Sequence, residues 1–211
     1  RKTLPNCKII AGGVHAWHVS QSDTLEHCDY ICAAEGEELY SALVDHLSTK
    51  PDVSPISIPG LIEKYQGKTI HNPVKAYMSM DEIPFPAYGD KKTYSINAIN
   101  KDKPIILNGD FMVDGHWGFV HIGRGCVFRC TFCINAIHKD PMVRLRSVDR
   151  VIAEIKDMLN SCKNIKVLFF EDEIFPVKGS FLKEFCEKYK KEINIPFWVC
   201  LYPHMLSEEK L

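Results

Sequence analysis

The chain has 211 residues, 45% hydrophobic and 25% charged, enough for one large or two small globular domains. Its formal net charge of −1 gives no electrostatic signal for nucleic acid or an anionic membrane. No apolar run approaches the roughly 20 residues that span a bilayer, and the opening Arg1 to Pro5 lacks the apolar stretch of a secretory signal, so a cytoplasmic location is expected.

Residues Cys7 to Ala11 read as a buried strand ending in Gly12-Gly13, where a glycine pair lets the backbone turn sharply and come close to a ligand. A helix over about Ser20 to His27 and a strand over Asp29 to Ala33 follow. Glu35-Gly36-Glu37-Glu38 then opens a second helix through Leu47, with Leu39, Leu43 and Leu47 on one face. Acidic residues suit the first turn of any helix, so these glutamates alone carry no function. Strand, helix, strand, helix at this spacing predicts a parallel sheet with its ligand crevice at the strand ends.

Prolines then cluster and the periodicity fades, which marks residues 51–92 as a linker. Within it, Leu61 to Tyr65 and Lys68 to His71 flank Gln66-Gly67 and predict a small hairpin. Met80 to Tyr88, with Pro84 and Pro86, reads as a stiffened connector. The second domain is expected over 93–211. It begins with edge strands between Tyr94 and Leu107 around the turn Asn100 to Lys103, followed by a strand over Trp117 to Ile122.

After that strand comes Cys126-Val-Phe-Arg-Cys130-Thr-Phe-Cys133. Gaps of three and two residues allow one loop to turn three thiolates toward a common point. Protein-held 4Fe-4S clusters and structural zinc normally take four ligands, and the next cysteine is Cys162. A group of three therefore points to a cluster with one open iron, or to a zinc knuckle completed by His121 or His138. The other six cysteines (Cys7, Cys28, Cys32, Cys162, Cys186, Cys200) lie in apolar periodic segments and read mostly as small buried hydrophobes.

Val143 to Arg146 leads to Ser147, a good N-cap, and to a helix reaching about Cys162 with Val151, Ile152, Ile155 and Leu159 as its apolar stripe. A strand over Ile165 to Phe170 ends in Glu171-Asp172-Glu173. A helix over Phe181 to Ile193, a strand over Pro196 to Tyr202 and a helix start at Ser207 complete the pattern. Three consecutive strand-helix units are the construction of a parallel barrel, whose chemistry sits at the carboxyl ends of its strands. The cysteine loop, the acidic triplet and Tyr202-Pro203-His204 all fall at such ends.

The cysteine spacing, the aromatic Phe132 before the last cysteine and the preceding Gly123-Arg-Gly125 run together resemble the radical SAM superfamily. The resemblance implies that Cys126, Cys130 and Cys133 carry a 4Fe-4S cluster whose fourth iron is chelated by S-adenosylmethionine (SAM). It implies that Phe132 lies near the adenine, and that Glu171, Asp172 and Glu173 are the acceptors for the methionyl ammonium. Three adjacent acids alternate in direction on extended chain, so only one or two face inward. Arg144 and Arg146 match a basic pair seen after the cysteine loop in one branch, with Arg146 the SAM-site candidate, although both equally suit ion pairs at a helix start. Tyr202 and His204 either reach substrate or end a strand. Arg124 and Arg129 read as surface residues, and His15 and His18 as loop or packing histidines.

In that branch a cobalamin-binding domain precedes the barrel. The pattern K-I-I-A-G-G-V-H followed by E-G-E-E looks like the second half of that domain, which implies cobalamin contacts at Gly12, Gly13, Glu35 and Gly36. The P-F-P segment resembles the connector between the two domains. The expected fold class is therefore α/β: the C-terminal part of a doubly wound cobalamin-binding domain over 1–50, the linker, then the first half of a partial (β/α) radical SAM barrel.

The cofactors so implied are a 4Fe-4S cluster, SAM and cobalamin, and the implied reaction is reductive SAM cleavage leading to methyl transfer to carbon or to ring formation. The partners so implied are an electron donor such as flavodoxin or ferredoxin and a small-molecule or peptide substrate, without nucleic acid or membrane. A doubly wound domain needs about five strands and only about two precede the linker, so the chain reads as incomplete. A zinc-stabilised binding module and a catalytically inactive SAM- or corrinoid-binding scaffold are the alternatives.

Overall fold

A computed structural model describes residues 5–18, 21–50, 53, 57–88, 94–95, 105–106, 116–136, 143–177 and 179–207. The chain divides into two compact units, Arg1–Met78 and Ser79–Leu211.

In the first unit, β1 (Ile10–Ala11) pairs in parallel with β2 (Tyr30–Cys32), placing Ala11 opposite Ile31. Of the helix expected over Ser20 to His27 only the short α2 (Gln21–Thr24) forms, and an unforeseen short helix, α1 (Gly13–His18), precedes it. Helix α3 (Gly36–Thr49) buries Leu39 and Leu43 against Tyr30, Cys32, Ile58 and Leu61, and Leu47 packs at the edge of that cluster. The apolar positions recur every four residues, so one stripe of the helix is removed from water and the rest stays polar.

Strands β3 (Leu61–Tyr65) and β4 (Lys68–His71) form the expected hairpin. Its turn residues Gln66 and Gly67 have φ of 49° and 77°, the left-handed pair that a tight two-residue hairpin turn demands. The hairpin does not stand apart in a linker. β3 runs antiparallel to β2 with Ile62 opposite Ile31, giving the order β1-β2-β3-β4. Burial of Leu61 and Ile62 drives this docking.

The second unit begins with the proline-containing strap Met80 to Tyr88, which lies on helix α4 (Val148–Ser161). Met80 and Ile83 are buried. Asp81 Oδ1 accepts from the Ser147 amide at 2.8 Å and the Ile83 carbonyl accepts from Arg150 Nη2 at 2.6 Å. The Arg150 guanidinium sits 3.7 Å from the Phe85 ring centroid, a cation–π contact. Fixed proline φ angles lower the entropy lost in ordering such a strap.

Strands β5 (Tyr94–Ser95) and β6 (Ile105–Ile106) make an antiparallel pair, as expected, while the turn at 100–103 lies outside the described residues. Strands β7 (Trp117–Val120), β10 (Val167–Phe170) and β11 (Phe197–Val199) form a parallel sheet in the order β11-β10-β7. Between β7 and β10, a small antiparallel ladder joins β8 (Gly123–Arg124) to β9 (Arg144–Leu145).

Helix α4 starts at Ser147, whose Oγ accepts from the Arg150 amide at 3.2 Å, and buries Val151, Ile152, Ile155 and Met158. Helix α5 (Gly179–Glu192) buries Phe185 and Tyr189. Phe170 is the centre of this core, with Phe175, Phe185 and Phe197 edge-on to it, each at 5.5 Å, the geometry aromatic quadrupoles prefer. The helix expected from Ser207 continues into residues 208–211, outside the described residues.

None of the nine cysteines is in a disulfide. Cys28, Cys32 and Cys162 are buried as expected, but Cys7, Cys186 and Cys200 are exposed. The reason is local: the first strand begins only at Ile10, Cys186 lies one step around α5 from the buried Phe185, and Cys200 follows the end of β11.

Candidate functional site

In the first unit, Gly12-Gly13 follows β1 and Glu35-Gly36 follows β2, both at carboxyl ends of parallel strands. Gly13 has φ of 76°, a backbone state that glycine adopts without strain. An unforeseen residue links the two turns. A Cβ at Gly36 would meet the Tyr40 ring at 2.8 Å, and one at Gly12 would meet the Tyr40 hydroxyl at 3.1 Å. Tyr40 thus crowds Gly36 and comes close to Gly12, and its phenol pKa is raised by burial and then by Cys32. No pattern in the sequence marks Tyr40, because a single tyrosine one turn into a helix looks like any other. Glu35, Glu37 and Glu38 line an open cleft of about 280 Å³ together with Lys75 and Tyr77.

In the second unit, β7 delivers the chain to the cysteine loop. Ile122 is fully buried and Gly123 is hemmed in: a Cβ there would lie 2.5 Å from the Arg144 carbonyl oxygen. Gly125 takes φ of 92°. Cys126 Sγ accepts from the Phe128 amide at 3.4 Å, and the Cys130 carbonyl accepts from the Cys133 amide at 2.9 Å. The three thiols are half-exposed. Among the described residues no three His, Cys, Asp or Glu side chains converge closely enough to hold a metal ion, so the loop presents three separate thiols. Phe132 is 89% exposed.

The acidic triplet after β10 divides its roles. Asp172 is buried and turns inward: its Oδ1 accepts from the amides of Ile122 at 3.1 Å and Gly123 at 2.7 Å, and its Oδ2 accepts from Ile122 at 3.0 Å. Desolvation raises its pKa, opposed by those amides and by His121. Glu171 is exposed and lies 3.5 Å from His121 Nε2, and Glu173 is exposed. Both Asp172 oxygens are thus engaged by backbone, which leaves Glu171 and Glu173 as the acids facing solvent beside the loop.

Arg146, expected at a SAM site, is instead buried in an ion pair with Glu154, whose other oxygen accepts from the Tyr88 hydroxyl at 2.7 Å. Its backbone amide donates to the Ile122 carbonyl at 2.8 Å. Tyr202 and His204, left without a role by the sequence, pack on the loop. Tyr202 stacks on Phe128 with centroids 4.6 Å apart, and His204 meets the same ring edge-on at 5.6 Å. The Tyr202 phenol pKa is raised first by its hydrogen bond to Cys130 and then by the charges of Cys130 and Cys126. The ends of β7, β10 and β11 therefore meet around one loop.

Three comparisons with known proteins bear on this arrangement. No family model matches the chain. An uncharacterized methyltransferase of Pyrococcus horikoshii is 31% identical over 175 residues, which cover 81% of this chain and 34% of that protein. The cobalamin-dependent S-adenosylmethionine radical enzyme OxsB, solved with aqua-cobalamin and S-adenosylmethionine bound, superposes on 89% of this chain and 25% of its own with a TM-score of 0.62 and 21% identity.

The radical S-adenosylmethionine methyltransferase TsrM from Kitasatospora setae, solved with cobalamin and a 4Fe-4S cluster bound, covers 99% of this chain and 40% of its own, with a TM-score of 0.66 and 18% identity. The chain thus spans about a third of the curated relative and two fifths or less of these solved structures. Its fold is α/β with parallel sheets, similar to part of the cobalamin-binding and radical SAM enzyme structures.

Proposed function

We propose that this chain carries the SAM-cleaving loop, and part of the cobalamin-binding domain, of a cobalamin-dependent radical SAM enzyme. The observation behind this reading is the position of Cys126, Cys130 and Cys133. They sit on the loop after the first of three consecutive parallel strands, with Glu171 and Glu173 after the second and Tyr202 after the third. The donor set suits the group, since soft thiolates select iron-sulfur clusters and all three thiols are free and reachable from solvent.

Cys126, Cys130 and Cys133 would hold a 4Fe-4S cluster, which together with SAM would supply one-electron reductive cleavage of the sulfonium. The chain's own contributions are distinct. Cys126, Cys130 and Cys133 anchor the cluster, the exposed Phe132 offers a face for adenine, and Glu171 or Glu173 accepts hydrogen bonds from the methionyl ammonium. Gly12, Gly13, Glu35 and Gly36 lie at the strand ends where a cobalamin tail would pass. Methyl transfer to carbon is the proposed outcome, in keeping with the methyltransferase names of the Pyrococcus and Kitasatospora proteins, with ring formation as the other. An electron carrier such as flavodoxin or ferredoxin is the proposed partner, and the substrate is a small molecule or peptide.

Anaerobic reconstitution with iron and sulfide, then reduction in the presence of SAM, is the test. The expected result is iron-sulfur absorbance and 5′-deoxyadenosine, both lost in the Cys126→Ala, Cys130→Ala, Cys133→Ala triple variant. A colourless protein with stoichiometric zinc overturns the reading, and a cluster that never yields 5′-deoxyadenosine reduces it to a binding scaffold.

A further inference from the structure

Beside the cysteine loop, outside the Cys-x-x-x-Cys-x-x-Cys motif, the acid Asp172 stands just past the end of the neighbouring strand β10. The loop leaves β7 through Ile122 and Gly123, three residues before Cys126. On one side this root is bonded to β9: the Ile122 carbonyl accepts from the Arg146 amide, and Gly123 pairs with Leu145. On the other side, the amides of Ile122 and Gly123 both donate to Asp172.

The register of β10 on β7, with Phe170 opposite Val120, brings residue 172 level with residue 122. A carboxyl 5% exposed is costly unless its oxygens are satisfied, and here the Ile122 and Gly123 amides of the loop root donate to both of them. A side chain at Gly123 would strike the Arg144 carbonyl, so the β9 backbone comes close to the root on that side.

We propose that Asp172 is a positioning residue for cluster assembly: by gripping the Ile122 and Gly123 amides it sets the direction in which Cys126, Cys130 and Cys133 leave the sheet. This rests on the cluster reading above, and it separates the acidic triplet into one strut and two outward-facing acids. The strut acts on the loop before any metal arrives, so it can be read in the metal-free protein.

The test begins with amide hydrogen exchange on the metal-free wild-type protein. Ile122 and Gly123 are expected to exchange at least about tenfold more slowly than Val127 to Thr131, the factor associated with buried hydrogen bonds. Asp172→Asn replaces one acceptor oxygen with a donor. It is expected to speed exchange at these two amides about tenfold while α4 and α5 keep their protection. Iron taken up on reconstitution is expected to fall several-fold, and the electron paramagnetic resonance signal of the reduced, SAM-treated cluster to split into more than one species.

Asp172→Glu keeps the carboxyl but lengthens the arm, and partial recovery of both readouts is expected. Asp149→Asn, an exposed carboxyl on the first turn of α4, is expected to change neither.

Wild-type exchange at Ile122 and Gly123 as fast as at Val127 overturns the proposal. So does an Asp172→Asn protein with wild-type protection, iron content and spectrum. If Asp172→Asn does not fold, Asp172→Glu and the wild-type exchange pattern decide in its place. A wild-type protein that protects both amides but takes up no iron keeps the strut and removes the cluster reading, so the two failures are distinguishable.

Discussion

The root and the tip of the cysteine loop are built on opposite principles. At the root, Ile122 is fully buried, its amide and carbonyl both have partners, and Gly123 has no room for a side chain. Only a few residues on, the thiols of Cys126, Cys130 and Cys133 are half-exposed and separate, and Phe132 stands almost wholly in solvent. The fold specifies where the loop starts and in which direction it leaves, and leaves the final gathering of the thiols to whatever binds them. Metal binding is coupled to local folding in this way when a site is not preformed.

That contrast can be broken from either end. The largest effect is expected at the tip: the triple cysteine-to-alanine variant should lose all 5′-deoxyadenosine formation while its circular dichroism and melting temperature stay near wild type. A collapse in stability would show that the tip carries fold as well as chemistry. Next comes the core beneath the root. Phe170→Ala should cost about 3–5 kcal/mol in denaturant unfolding, since it empties the centre of an aromatic cluster.

Gly123→Ala should follow at about 1–3 kcal/mol, because its Cβ meets a backbone carbonyl that cannot move aside. Tyr202→Phe keeps the ring that stacks on Phe128 and should leave the melting temperature almost unchanged.

The smallest effect lies far from the loop. Hydrogen bonding from Lys156 holds the Glu192 carboxyl below its usual pKa. A carboxylate depressed in the folded state stabilises above its unfolded pKa and loses that stabilisation as pH falls through the folded one. Both side chains are near the surface, so Glu192→Gln should flatten the acid limb of the stability profile only slightly.

Several of these features were legible in the residues. Gln66-Gly67 predicted its hairpin because both turn positions need positive φ, and Ser147 predicted a helix start because its hydroxyl can cap an otherwise unpaired amide. The three parallel strands and the helices α4 and α5 between them followed from apolar periodicity, and the cysteine spacing marked the loop. What stayed hidden depends on register or on distant contacts.

Which of three adjacent acids turns inward is decided by how β10 slides against β7, and no local pattern encodes that offset. Arg146 suited a ligand contact and an ion pair equally, and its partner Glu154 could be identified only once α4 was in place. Tyr40 comes close to two glycines at once only after α3 has docked. The short helix α2 covers only part of the helix expected over Ser20 to His27, and α1 before it was not expected, since propensity alone does not resolve such boundaries.

The strap from Met80 to Tyr88 has a practical consequence for anyone who wants to produce the second unit by itself. Glu154 is 2% exposed, and Tyr88 supplies one of its two hydrogen-bonding partners. A gene cut after residue 92, where composition suggests a seam, would strip that lid from α4 and leave a charged pair opening onto water. Starting at Ser79 retains it, and the shorter product should be the one that precipitates during purification.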